Sequence, residues 1–172
     1  KRRRRPVDAV LLQVGIDELL DRPRADVERV AFALRERLDE LTHFLDAQIP
    51  IHLLFNKCDC LEGFLEFFSA LAPEEQAAAW GIQLDTQNLG ADSLEGAFSK
   101  RFGELVRSLT ERATQRMLSA PNPDTREAIL SFPAEFKAIG ELLTFFVQSL
   151  LEPRSRQERP WLRAVYFASA EQ

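Results

Sequence analysis

The chain has 172 residues, of which 45% are hydrophobic and 28% are charged, and its formal net charge is −5. This length and composition fit a single globular domain with a sizeable core. The negative charge argues against a nucleic-acid-binding protein, and no apolar segment approaches the roughly 20 residues needed to span a bilayer.

The first five residues, Lys1 to Arg5, form a basic run that is opposite in charge to the rest of the chain. Such a run can contact phosphate groups or an anionic membrane surface. The favoured interpretation is a solvated segment that leads into a strand, and a nucleic-acid-binding tail is the alternative.

A strand is predicted over Pro6–Val14, because a near-continuous apolar run is typical of a parallel strand covered by helices on both faces. Beyond Pro23, apolar residues recur in steps of three and four from Val27 to Leu45, which predicts an amphipathic crossover helix. Pro50 ends this helix, and Ile51–Phe55 is the second predicted strand. Together these elements form a βαβ unit, which is almost always right-handed.

The second strand stops at Asn56-Lys57-Cys58-Asp59, the N-K-x-D spacing with which many GTPases read guanine. A carboxylate at the edge of a sheet can accept two hydrogen bonds from guanine, and adenine cannot offer this pair. Asp59 is therefore the predicted base-selecting residue. Lys57 would lay its methylene stem along the base, and Asn56 would tie the loop together. The alternative is an ordinary polar turn, since Asn, Asp and Lys are common turn residues.

Cys58 and Cys60 are separated by one residue, which is closer than the usual C-x₂₋₄-C zinc pattern and closes no useful disulfide loop. They are predicted to be reduced thiols. No metal ligand and no catalytic residue is predicted anywhere in the chain.

The region 61–157 is predicted to be a helical insertion without strands, placed between the second and third strands of the sheet. Pro121 and Pro123 break its longest helix, and Pro133 separates two further helical stripes that run to Leu150. The elements that precede these are predicted, in chain order, to be helices over Leu61–Leu71 and Pro73–Trp80, a polar linker over Gly81–Ser93 and a helix over Leu94–Met117.

A polar loop over Pro153–Pro160 precedes the third predicted strand, Leu162–Ala168, which is followed by Ser169 and Ala170. At this point GTPases place a backbone N–H against the guanine carbonyl, with a serine hydroxyl bracing the loop. The predicted base-binding residues are therefore Asn56, Lys57, Asp59, Ser169 and Ala170.

The chain contains no G-x-x-x-x-G-K-[S/T] phosphate loop and no D-x-x-G motif. The fold class predicted is α/β, the C-terminal half of a P-loop GTPase-like domain with about three parallel strands. Either the phosphate loop lies upstream or it has been lost, and we expect a fragment. Residues upstream would then hold the phosphates and Mg²⁺. Hydrolysis by this chain alone is not expected, because phosphoryl transfer depends on those groups.

Several blocks of the sequence resemble the IcmF/TssM family, the large inner-membrane component of type VI secretion systems. The resemblance covers nearly all 172 residues, in order. The blocks are PVDAVLLQVGIDELL, IPIHLLFNKCDCLEGFLEFFSAL, EEQAAAWG, AILSFPAEFKAI and WLRAVYFASAEQ.

The resemblance implies the C-terminal part of a cytoplasmic GTPase-like domain at the inner membrane, anchored through segments outside this chain. Its implied ligand is GTP or GDP, whose binding would favour one conformation of the complex over another. Its implied partners are a TssL-type (DotU-like) membrane protein and components of the baseplate. In the family these motifs vary in completeness, so hydrolysis is not implied.

The alternative function is a nucleotide-free scaffold whose helical insertion binds other proteins. In that case exposed phenylalanines would form the contact patch, because large apolar patches on a monomer mark interfaces. The candidates are Phe64, Phe67, Phe68, Phe145 and Phe146.

Overall fold

The structure is a computed structural model that describes residues 7–69, 71, 80–87, 89, 93–152 and 159–169. Its centre is a four-stranded sheet in the order β1-β2-β4-β3. The strands are β1 (Val10–Gly15), β2 (Ile51–Asn56), β3 (Gly81–Gln83) and β4 (Leu162–Phe167). Strands β1, β2 and β4 are parallel to one another, whereas β3 is antiparallel to β4.

The three strands predicted from apolar runs are confirmed, although β1 begins at Val10 rather than at Pro6. The register pairs Gly15 with Asn56 and Phe55 with Phe167, so these parallel strands end together at one edge of the sheet. The candidate loops after β2 and β4 therefore lie side by side.

Six helices connect or flank these strands in the described part of the chain, and each is too short or too polar to cross a membrane. Single 3-10 turns occupy Cys58–Cys60 and Met117–Ser119. The helices are α1 (Asp17–Leu20), α2 (Arg24–Leu45), α3 (Phe64–Ser69), α4 (Leu94–Arg116), α5 (Pro123–Ala138) and α6 (Gly140–Leu151).

The short strand β3 corrects the expectation of a strand-free insertion with a polar linker at 81–93. Three residues are too few to show an alternating pattern, so the strand left no sequence signal. It fits beside β4 because Gly81 has no side chain: a Cβ there would lie 2.2 Å from the Val165 carbonyl oxygen. The sheet is consequently mixed, with four strands instead of three.

The expected helix boundary at Pro133 is wrong. Pro133 lies buried inside the 16-residue helix α5, and the boundary with α6 falls at Ile139. Burial of Ile129, Phe132 and Phe136 in the core outweighs the loss of one backbone hydrogen bond at the proline. The predicted break at Pro121 and Pro123 is confirmed.

The described helices pack on one face of the sheet. Phe55 contacts Phe146 with ring centroids 5.7 Å apart, and Phe167 contacts Phe136 at 4.9 Å. Both parallel crossovers step in the same direction across the sheet, so right-handed connections place their helices on the same side. On the opposite face Leu11 is 60% exposed. Within the described residues, the expected cover of helices on both faces is therefore absent.

The proposed phenylalanine contact patch is also wrong. Phe64, Phe67 and Phe146 are buried, and Phe68 and Phe145 pack partly buried against the same core. Aromatic side chains of this size contribute most by burial, so the insertion uses them to hold its own helices together. The predicted helix over Pro73–Trp80 and the basic run Lys1 to Arg5 lie almost wholly outside the described residues.

Candidate nucleotide-base site

The candidate site is built where the central strand β2 ends between β1 and β4. Backbone pairing continues past the strands, because Ala168 N–H donates to the Phe55 carbonyl at 2.9 Å and Cys58 N–H donates to the Ala168 carbonyl at 3.0 Å. These two bonds hold the loop after β2 against the residues after β4.

Lys57 turns the chain at the end of β2. Its backbone is left-handed, with φ 59° and ψ 33°, a conformation that costs free energy for a residue with a side chain. The next three residues form a 3-10 turn in which Cys60 N–H donates to the Lys57 carbonyl at 3.1 Å. Asp59 therefore lies in a tight turn directly after a central parallel strand, as the N-K-x-D spacing predicts.

Asp59 is joined to the loop after β4 by a side-chain hydrogen bond. The Ser169 hydroxyl donates to Asp59 Oδ1 at 2.7 Å. An ionised carboxylate has about four lone-pair sites and can accept several hydrogen bonds at once. Ser169 thus connects the two loops, and its predicted role at a guanine base stays a prediction. Ala170 lies outside the described residues.

Lys57 is held by a residue that the sequence analysis did not identify. Its ammonium lies 2.8 Å from Asp17 Oδ2, and the hydrogen bond to Asp17 together with the negative charge of that carboxylate raises the pKa of Lys57. The side chains are 42% and 41% exposed, so solvent screening makes this pair a weak contributor to stability. The pairing of Gly15 with Asn56 brings the turn after β1 next to Lys57, and the sequence alone does not show this register.

Asn56 places a polar atom beneath the loop. Its backbone carbonyl accepts a hydrogen bond from Ile16 N–H at 3.0 Å, while its side-chain Oδ1 is buried and has no hydrogen-bond donor among the described residues. Buried amide oxygens are nearly always paired. Within the described residues this oxygen is a buried acceptor that no protein group satisfies, and its burial keeps solvent away from it.

The two cysteines are unpaired thiols, as expected. Burial raises the pKa of the Cys58 thiol to about 12, and burial is also the main cause of a raised pKa at Cys60. Neither thiol has the lowered pKa of a reactive nucleophile. The described residues include no group of three or more His, Cys, Asp or Glu side chains arranged to hold a metal ion.

In a comparison with known protein families, the IcmF-related N-terminal domain matches the whole chain, residues 1–172. The chain is 34% identical over 177 residues to the type VI secretion system component TssM1 of Pseudomonas aeruginosa. That alignment covers 100% of this chain and 16% of the relative. No solved structure matches the chain. The expectation of a C-terminal part is corrected, since the matching family model describes an N-terminal domain.

Proposed function

This chain belongs to the family of IcmF-related N-terminal domains, and we propose that it is the guanine-nucleotide-binding switch module of a type VI secretion membrane complex. Its likeness to TssM1, a type VI secretion component, supports the assignment to that machinery. The proposed position is the cytoplasmic face of the bacterial inner membrane, with anchoring through segments outside this chain.

The observation that carries the nucleotide proposal is the hydrogen bond from Ser169 to Asp59. Ligands of open α/β sheets bind outside the carboxyl ends of the strands, and both residues lie at that edge. The bond fixes the carboxylate before a ligand arrives, which lowers the entropy cost of binding.

Base selectivity follows from the chemistry of the carboxylate. Guanine presents a ring N–H and an exocyclic amine side by side, and Asp59 can accept from both. Adenine would leave the carboxylate without this pair. A site built on such hydrogen bonds rejects the wrong base more strongly than an apolar pocket does.

The proposed activity of this chain is to bind guanine nucleotides without hydrolysing them. Its sequence has no glycine-rich loop ending in Lys-Ser or Lys-Thr, and none of its seven glycines belongs to a phosphate-binding cluster. GTP or GDP would contact these residues through the base, whereas phosphates and Mg²⁺ would need donors from elsewhere in the protein. The nucleotide would then act by binding two conformations of the complex with different affinities.

Calorimetric titration with GTP, GDP and ATP tests this proposal on the chain and on the full-length protein. We expect tighter binding of both guanine nucleotides than of ATP, and loss of that preference in Asp59→Ala. The matched control is Glu62→Ala, which removes an exposed carboxylate three residues away and leaves the preference unchanged. Equal affinities for GTP and ATP, or a preference that survives Asp59→Ala, would contradict the proposal.

A second candidate function, protein binding through the helical insertion, is favoured by three exposed leucines. Leu65 on α3, Leu118 after α4 and Leu130 on α5 are all exposed, and Leu118 reaches 80%. The helix that carries Leu65 and the 3-10 turn that carries Leu118 both pack against α5, so the three leucines lie on neighbouring elements. Neighbouring exposed apolar side chains are candidates for an interface. The proposed partners are a TssL-type (DotU-like) membrane protein and baseplate components.

Co-purification of these partners separates the two functions. If the insertion is the binding surface, Leu118→Asp with Leu130→Asp abolishes capture and Asp59→Ala does not. If nucleotide state governs the contacts, Asp59→Ala weakens capture in the presence of GTP and the double leucine variant does not.

A further inference from the structure

One face of the sheet has no helix packed on it among the described residues. Side chains alternate along a strand, and those that point to this open face are Leu11 and Gln13 of β1 and His52 and Leu54 of β2. Leu11 is 60% exposed, and Leu54 is only partly buried and lies outside the core cluster. Sheets of parallel strands usually have both faces covered, so the open face lacks a layer that strands of this kind require.

The open face continues across the sheet onto β4. Tyr166 pairs in register with Leu54, and its ring stacks on the ring of His52 with the centroids 5.9 Å apart and the planes at 16°. Both rings are partly buried and lie outside the core cluster. Together with Leu11, these side chains give three neighbouring strands an apolar and aromatic surface, which is the kind of surface on which another element packs.

The outer edge of β1 also lacks a partner in the described part of the chain. Val10 N–H donates to the Pro50 carbonyl at 2.9 Å, so the backbone of Val10 faces β2. In a parallel pair, alternate residues bond to the same neighbour, and the backbone groups of Leu11 and Gln13 therefore point outward. The described sheet has no strand beyond β1 on that side.

The two edges of the sheet differ in how they are protected against further pairing. Short strands, charged side chains, proline and bulges are the usual protections of an edge. The edge strand β3 has only three residues. The edge strand β1 has six residues, with the sequence VLLQVG, and pairs with β2 without a register shift. It contains no charged residue and no proline, so only the β1 edge is suited to accept another strand.

The handedness of the connections links the open face to the open edge. The crossovers from β1 to β2 and from β2 to β4 step away from the β1 edge, and their helices lie on the covered face. A right-handed crossover that steps the other way, to strands outside β1, places its helix on the open face. A second copy paired β1 to β1 would fill the edge and leave the open face uncovered. Only a unit with both a strand and a helix fills both gaps.

We propose that a strand-and-helix unit from another part of the same full-length polypeptide docks on this domain. Its strand pairs with the outer edge of β1, and the apolar side of its helix packs across Leu11, Leu54 and Tyr166. The alignment with TssM1 covers 16% of that relative, so most of the relative's chain lies outside the matched part and is long enough to form such a unit. The proposal does not depend on nucleotide binding.

Residue-resolved amide hydrogen exchange of the full-length protein tests the added strand. The amides of Leu11 and Gln13 are expected to exchange as slowly as those of Leu12 and Val14, which face β2 and serve as internal references. This protection is expected to be independent of protein concentration. Outward amides that exchange more than about tenfold faster than the references would overturn the proposal. Protection that appears only at high concentration would assign the edge to a second copy and would also overturn it.

Photo-crosslinking identifies what covers the open face. A photo-reactive benzoylphenylalanine replaces Leu11 in the full-length protein, and the control carries it at position 44, where Phe44 is 83% exposed on α2. Position 11 is expected to crosslink to residues of the same polypeptide outside residues 1–172, and position 44 is not. Mixing isotope-labelled and unlabelled protein distinguishes the same polypeptide from a second copy. A crosslink from position 11 to a second copy, to another protein or within residues 1–172, or no crosslink, would overturn the proposal.

A charged substitution then tests the packing of the helix. Leu11→Asp in the full-length protein is expected to speed exchange at the Gln13 amide by at least about tenfold, because it places a carboxylate under the docked helix. Phe44→Asp is the matched control and is expected to leave that amide unchanged. The proposal is overturned if both variants behave like wild type. If Leu11→Asp fails to fold, exchange and crosslinking at position 11 still decide the outcome, and neither measurement requires a nucleotide.

Discussion

The Ser169 hydroxyl donates to the Asp59 carboxylate across 2.7 Å, joining two loops whose residues are 110 positions apart in the sequence. The bond exists because β2 and β4 are parallel neighbours that end at the same edge of the sheet. The large helical insertion between them changes the sequence distance and leaves this contact in place. The candidate base site therefore depends on β2 and β4 being neighbours in the sheet.

Ser169→Ala removes this hydrogen bond and is expected to weaken guanine preference while the fold persists. Asp59 is only partly buried, so water can replace the hydroxyl, and we expect the free energy of unfolding to fall by about 1 kcal/mol. Urea denaturation and GTP titration measure the two effects. Ser119→Ala, which removes an exposed hydroxyl elsewhere, is the control, and an effect of equal size in both variants would contradict a special role for Ser169.

Gly81→Ala is expected to lower the free energy of unfolding by about 2 kcal/mol, because the new methyl group meets the backbone of β4 and not a flexible side chain. Gly103→Ala is the matched control. No atom lies within 4 Å of a Cβ at Gly103 inside α4, so alanine there should raise the free energy of unfolding by roughly 1 kcal/mol. Thermal or urea unfolding of both variants checks the opposite signs, and equal changes would show that β3 does not pair as described.

Arg35→Leu is expected to destabilise the fold by about 3–5 kcal/mol, since it leaves the Asp39 carboxylate and the carbonyl oxygens of Leu150 and Glu152 without their buried donor. Arg37→Leu on the same helix removes an exposed arginine and should change stability little. Chemical denaturation of the two variants compares them directly. A small effect at position 35 would mean that the buried network contributes little to holding α2 against α6.

The raised pKa of Cys58 predicts that the folded state loses stability at alkaline pH. Its pKa in the folded protein is about 12 against an ordinary 9.0, so the folded state keeps a proton that the unfolded state has lost between these values. Stability from this group is fully present below pH 9 and falls by about 1.4 kcal/mol per pH unit towards pH 12. Denaturation midpoints at stepwise pH measure the slope, and Cys58→Ala should reduce it. An unchanged slope in Cys58→Ala would assign the alkaline loss to other groups.

The parallel part of the fold could be predicted from the sequence because its signals are local. Apolar runs of strand length and a helical period of three to four residues define β1, α2 and β2. The order of N-K-x-D and Ser-Ala predicts that Asp59 and Ser169 each follow a strand of the sheet, but not that the two side chains form a hydrogen bond. The Lys57 to Asp17 pair was missed, since it depends on register and on the left-handed backbone at Lys57.

Other features could not be predicted because they arise from packing. The three residues of β3 carry no periodicity, and the helix boundary at Ile139 reflects burial of aromatic residues around Pro133.

The central claim, that Asp59 reads a guanine base, is tested most directly by Asp59→Asn with GTP and xanthosine triphosphate as ligands. Xanthine replaces the exocyclic amine of guanine by a carbonyl, and asparagine replaces one carboxylate acceptor by an amide donor. Titration of the full-length protein should show that wild type prefers GTP and that Asp59→Asn prefers xanthosine triphosphate. A wild type without preference between the two ligands, or an Asp59→Asn variant that still prefers GTP, would contradict the claim.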